Sequence, residues 1–125
     1  SMIYGPVLVF NLHRIDNPDI VAELADFLLR REGVSYVLGM GWFDGMQILS
    51  MRALAPGARL GQVIQQMVEG LGTAGGHGMA AGGQIRDMAV DESSQKELER
   101  MLTRRLFKAL EMEPVPGIPL LDDNS

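Results

Sequence analysis

Asp44-Gly45 constrains this chain more than any other pair of residues. Asp-Gly between two alternating apolar runs signals a two-residue β-hairpin, because the tight turn needs backbone conformations that these residues tolerate. Before it, Val34, Tyr36, Leu38, Met40 and Trp42 alternate along one strand face. After it, Met46 to Ala53 returns as the partner strand. Ile48, Ser50 and Arg52 then share one face, and Leu49 and Met51 the other. A hairpin with apolar residues on both faces has to be covered on both, so the flanking segments must supply the layers.

They do so in a regular order. Val7 to Leu12, "VLVFNL", reads as a strand buried on both faces. In "DNPDIVAELADFLLRREG", Asn17 can cap, Pro18 suits the first helical position and Asp19 suits the positive helix end. Ile20, Val21, Leu24, Ala25 and Leu28 repeat at helical spacing, and Gly33 ends the helix. Pro56-Gly57 breaks the chain after the hairpin. A second helix is expected from about Leu60 to Leu71, its apolar stripe formed by Leu60, Val63, Ile64, Met67, Val68 and Leu71. A strand follows from about Met79 to Arg86, then a helix from about Glu92 to Glu111 with Asp91 as its cap. Leu98, Met101, Leu102, Leu106 and Leu110 of that helix face inward. The order β-α-β-β-α-β-α predicts an α/β (α+β-like) fold, a mixed sheet of about four strands with three helices packed against it.

The 125 residues suffice for one domain with a core. We expect it to span residues 3–111, followed by an acidic, Pro-rich and poorly ordered tail over 112–125. Ser1-Met2 reads as a tag remnant. The net charge of −5 sits mostly at the C-terminal end, in Glu111 at the domain boundary and Glu113, Asp122 and Asp123 of the tail, and leaves the body nearly neutral. No basic stripe of the kind that grips long nucleic acids is visible. A small phosphorylated ligand needs only one or two local cations and stays open. Cysteine is absent, which excludes disulfides and thiolate metal sites and fits a reducing, cytoplasmic setting. No apolar run approaches the roughly 18–20 residues of a membrane-spanning helix.

The unusual stretch is "GLGTAGGHGMAAGG", Gly70 to Gly83, half glycine, with one of the two histidines inside it. "GLGTAG" matches a dinucleotide-binding fingerprint but follows a helix, where the fingerprint must follow a strand. A purely structural reading has Gly70 or Gly72 end the helix and Ala80 to Gly83 pass tightly under a neighbour. It leaves Gly75-Gly76-His77-Gly78 unexplained. A third reading is an anion cradle, in which glycine N–H groups and the imidazole turn toward a phosphate. Taken alone, His77, Arg52 and Ser50 are more simply a surface ring, a solvated strand-end charge and a polar strand position.

"GGHGMAAGG" resembles the Gly-Gly-His-x-x-Ala-Ala-Gly signature of the DHH-associated domain, the C-terminal substrate-binding half of DHH-family phosphoesterases. "ILSMRA" is similar to that family's Ser-x-Arg strand motif, and the segment from Asp19 to Gly45 to its helix, strand and hairpin. Some relatives have a further glycine before the histidine, where this chain has Thr73-Ala74-Gly75-Gly76. The resemblance implies a substrate-binding domain for small phosphorylated nucleotides or short oligonucleotides. The implied site is Ser50, Arg52, Gly75, Gly76, His77, Ala80 and Gly82, with Arg52 and His77 on phosphate. It also implies an N-terminal DHH catalytic domain as partner, carrying two divalent ions, manganese by expectation, that drive hydrolysis. With only His13 and His77 and no Asp-His-His triplet, this chain is expected to bind no metal and, alone, to be inactive. It would be an excised domain or a stand-alone relic; a homodimer is a further arrangement the sequence allows. The competing readings are a non-catalytic docking module and a nucleic-acid-binding domain of the RecJ or alanyl-tRNA synthetase type.

Overall fold

The computed structural model describes residues 1–86, 92–113 and 116–119. Its elements in chain order are β1 (Met2–Tyr4), β2 (Val7–Arg14), α1 (Asp19–Glu32), β3 (Tyr36–Phe43), β4 (Met46–Ala53), α2 (Leu60–Val68), β5 (Gly72–His77), β6 (Ala80–Arg86), α3 (Glu92–Ala109) and β7 (Ile118–Pro119). The strands form one mixed sheet in the order β5-β6-β4-β3-β2-β1-β7. Only β2 and β3 run parallel, as the α1 crossover between them requires. The Asp44-Gly45 hairpin is present, pairing Phe43 with Met46 through to Tyr36 with Ala53.

The α/β class holds, and the sheet has seven strands where about four were expected. The difference lies at the edges. β1 and β7 have three and two residues, too few to show a period, and Met2, set aside as a tag remnant, pairs with Val9 and Pro119. β5 is built from "GTAGGH", which carries no β-forming signal. Its composition suggests a loop, yet it is a regular strand paired with β6 from Gly72–Ile85 to His77–Ala80. The α2 and α3 helices end earlier than expected, at Val68 and Ala109. Asp91, the expected cap, lies outside the described residues, as do tail positions 114–115 and 120–125.

Alternation divides the sheet residues between two cores. Val7, Val9, Leu38, Met40, Leu49, Met51, Ala81 and Ile85 face α2 and α3, where they meet Leu60, Ile64, Met67, Leu102 and Leu106. Leu8, Phe10 and Val37 face α1 and pack on Val21, Ala25 and Leu28. On that side of β3 a Cβ on Gly39 would enter the Phe10 ring, so its bareness admits the phenyl group under α1. The α1 start follows its sequence signals: the Asn17 side chain accepts the Asp19 N–H at 2.9 Å. Arg105 of α3 donates to the carbonyls of Met67 and Glu69, both at 2.9 Å, and so caps the C-terminal end of α2 with a cation.

The glycine stretch is fixed by the opposite face. A Cβ on Gly61 of α2 would overlap the Gly76 carbonyl, so helix and strand meet backbone to backbone. The Gly78-Met79 turn joins β5 to β6, with Gly78 at φ +63. It is tied down at both positions: the Gly78 carbonyl accepts Leu60 N–H and the Met79 carbonyl accepts Ala53 N–H, each at 3.0 Å.

Two outcomes follow from this packing. Gly61→Ala should cost about 1–3 kcal/mol in urea unfolding, the usual penalty for overpacking where only backbone can yield. Gly75→Ala, whose Cβ would meet nothing within 4 Å, should not lower stability. Equal midpoints for Gly61→Ala and the parent chain would contradict the α2–β5 contact. Tyr4 stands edge-on to Phe107, with ring centroids 5.4 Å apart. Burial, and secondarily the Glu99 charge, raise its phenol above the ordinary value. The folded state therefore favours the neutral phenol. That contribution is complete below the ordinary tyrosine value and is lost as pH rises through the raised one. Stability measured from about pH 9 to about pH 12 should fall less steeply in Tyr4→Phe; an unchanged slope would contradict this.

Candidate functional site

The two helical layers do not cover the sheet equally. α2 lies over β5 and β6 on one face, and α1 lies over β3 and β4 on the other. The α1-facing side of β5 and β6 is left exposed. The register sets what appears there. Ser50 pairs with Gly82, and Gly82 with Gly75, which makes one transverse row across β4, β6 and β5. Ile48, Gln84 and Thr73 form the next row, and Arg52, Ala80 and His77 the row on the other side. Directly paired residues share a sheet face, so all three rows lie on the α1 side. Rows two residues apart are separated by about 7 Å.

Between this surface and the first turn of α1 lies a cleft of about 520 Å³, bordered by Asp19, Ile48, Ser50, Thr73, Gly75, Gly82 and Gln84 among others. Its floor is nearly free of side chains where Gly75 and Gly82 pair. Neither glycine has a positive φ. A Cβ at Gly75 would meet nothing within 4 Å, and one at Gly82 would make only ordinary contact with the Leu49 carbonyl. Nothing among the described residues requires glycine at either position, although glycine weakens a strand. Ser50 stands beside them with 7% exposure. Its hydroxyl has no hydrogen-bond partner among the described residues. Dry, an unpaired hydroxyl would cost about 1–3 kcal/mol; this one borders an open cleft, from which water or another polar group can reach it.

Arg52 sits one row along. Its Nε donates to Asp26 Oδ1 of α1 at 2.8 Å, and its Nη1 to the Met51 carbonyl at 2.8 Å and the Ala81 carbonyl at 3.4 Å. Three bonds fix the guanidinium, and Nη2 has no partner among the described residues. The side chain of Arg52 is 19% exposed and that of Asp26 46%. Arg52 is thus held ready beside the cleft, with one donor edge free.

The structure brings Ser50, Gly75 and Gly82 together in the cleft and places Arg52 and Ala80 in the adjoining row. It separates the others. His77 shares Arg52's row two strands away, at about 10 Å between backbones. It borders a smaller concavity of about 280 Å³ with Arg59, Gln62 and Gln65 at the start of α2. Gly76 serves the contact with Gly61 on the far face. The amides of Gly75 and Gly76 belong to a strand, so they do not gather into a cradle. Among the described residues no three His, Cys, Asp or Glu side chains are grouped as metal ligands, and none of the helices is long and apolar enough to cross a membrane.

Asp19, Asp26, Thr73 and Gln84 are not among the site residues expected from the sequence. Asp19, Ala22 and Asp26 fall at i, i+3 and i+7 of α1, a stripe that would have marked both acids as sharing one helix face. Thr73 and Gln84 follow from parity with Gly75 and Gly82 once β5 is recognised as a strand.

The DHHA1 domain family matches residues 4–107, which include the Ser50-Met51-Arg52 strand and the Gly-Gly-His segment. The chain belongs to the DHHA1 domain family. No curated protein matches it. Among solved structures the domain is similar to the C-Ala domain from Aquifex aeolicus alanyl-tRNA synthetase, at TM-score 0.59 and 17% identity, over 82% of this chain and 98% of that one. It is also similar to RecJ in complex with Mg2+ from Thermus thermophilus, at TM-score 0.53 and 19% identity, over 94% of this chain but only 17% of that one. These likenesses concern the fold. The DHHA1 domain is a DHH-associated accessory domain, and in RecJ it forms a small part of a much longer chain.

The Arg52–Asp26 pair generates its own test. Asp26→Ala should cost about 0.5–1 kcal/mol, as expected for a half-exposed ion pair, and the difference should shrink in about 1 M salt. A salt-independent difference would mean that Asp26 acts through packing.

Proposed function

We propose that this chain is the ligand-holding part of a DHH-type phosphoesterase, and that the cleft between α1 and the β4-β6-β5 surface receives a small phosphorylated nucleotide or the end of a short oligonucleotide. The observation that carries this reading is the Ser50–Gly82–Gly75 row. Two strand glycines without an internal reason and a buried, unpaired hydroxyl suit a flat group lying on the sheet. Arg52, oriented by Asp26 and with Nη2 free, would take a phosphate oxygen. His77 would contribute from the same row if the phosphate lies across Ala80.

Hydrolysis is assigned to a DHH domain outside this chain, with its divalent ions, manganese or magnesium. Among the described residues no donor group fits a metal pair, and no chemical step is placed on this chain. Its part is to bind and orient. A docking-module reading would bury the glycine surface under an apolar partner and leave Asp19, Ser50, Thr73 and Gln84, which are interspersed with Ile48 and Ala74 there, without polar partners; a ligand with both polar and apolar parts suits this mixed lining better.

Calorimetric titration with 3′,5′-bisphosphorylated adenosine or a dinucleotide tests the reading. Binding is expected to be weak, because the catalytic domain would complete the cleft. Gly75→Val should keep or slightly raise stability, by up to about 1 kcal/mol, and abolish binding. Arg52→Ala should weaken binding about 10- to 100-fold, the value of a hydrogen bond to a charged group. Absence of binding, or binding unaffected by both substitutions, would overturn the proposal.

A further inference from the structure

The charge distribution around the cleft separates the two ends of a nucleotide. Among the described residues no Lys, Arg or His borders it, and the one charged group that does is Asp19. A phosphate placed there would face a carboxylate with no cation to offset it. The row that carries Arg52 lies one step further along the strands, about 7 Å away between backbones. An anionic ligand with a planar neutral part therefore has one favourable orientation, with phosphate at the Arg52 row and ring on the Gly75–Gly82 floor.

The groups around that floor are uncommitted. The side chains of Asp19, Thr73 and Gln84 have no hydrogen-bond partner among the described residues, and Asp19 is anchored only through its backbone N–H to Asn17. An ionised carboxylate only accepts hydrogen bonds, whereas an amide both donates and accepts. A carboxylate accepts from an exocyclic amino group such as cytosine N4, and a glutamine amide pairs with the N6/N7 edge of adenine. Uracil has no amino group, and its two carbonyls flank its single N–H.

We propose that the cleft is a base-reading subsite in which the acceptor-only carboxylate of Asp19 favours amino-bearing bases, namely adenine, cytosine and guanine, over uracil, while Gln84 can pair with any of the four. This rests on the nucleotide-binding reading above. The alternative role of Asp19, a favourable charge at the helix start, predicts a change in stability and none in selectivity.

The test is titration of this chain with the 3′,5′-bisphosphates of adenosine, cytidine, guanosine and uridine. The three amino-bearing ligands should bind at least about fivefold more tightly than the uridine ligand, within the discrimination that side-chain contacts to base edges provide. Asp19→Asn should reduce that ratio toward one, and Gln84→Ala should weaken all four ligands without removing it. Arg52→Ala should weaken all four alike and preserve it. Thermal unfolding of each variant verifies the fold. Equal affinity for all four ligands in the parent chain, or a ratio unchanged in Asp19→Asn, would overturn base reading while leaving nucleotide binding intact. If none of the four binds, both readings fall.

Discussion

The β4–β6–β5 ladder is the constraint on which the rest depends. β4 is paired on both sides, so a shift of one residue would move Leu49 and Met51 out of the α2–α3 core and put Ser50 and Arg52 into it. The core thereby fixes the register, and the register fixes which residues face α1. Because α1 packs on β3 and β4 while α2 covers β5 and β6 from behind, that register also opens the cleft. Packing on one face places the polar row on the other.

The glycines divide along the same line. Gly61 and Gly76 let a helix and an edge strand meet without side chains between them, and their replacement would be resisted by backbone. Gly75 and Gly82 face the other way and meet no such obstacle. Within one short stretch the same residue type meets a demand of the fold at Gly76 and, on the proposed function, a demand from a ligand at Gly75 and Gly82. A strand that keeps glycine where a β-branched residue would fit gives up stability, and such a loss is expected where a surface has to remain flat for a ligand.

Much of this arrangement is legible in the residues. The Asp44-Gly45 turn, the Asn17-Pro18 helix start and the even–odd split of β4 each follow from local chemistry, and each is found. β5 escapes such reading because glycine has no preference for a strand; the pairing with β6 and the contact with Gly61 impose one. β1 and β7 escape because two or three residues exhibit no period. Arg52 and Ser50 could be named from their motif, but not the ion pair to Asp26 or the absence of any partner for the Ser50 hydroxyl among the described residues. Those properties belong to the way α1 packs beside β4, which no local pattern within either segment specifies.

The central claim is that the side-chain-poor row on the α1 side of the sheet is where a ligand lies. Amide chemical-shift mapping by NMR during addition of adenosine 3′,5′-bisphosphate tests it most directly. The account predicts perturbations at Thr73, Gly75, Gly82 and Gln84, extending to Arg52, with little change at Gln62 and Gln65 of α2. Perturbations confined to Gln62, Gln65 and the start of α2, with the Gly75 and Gly82 amides unmoved, would contradict it.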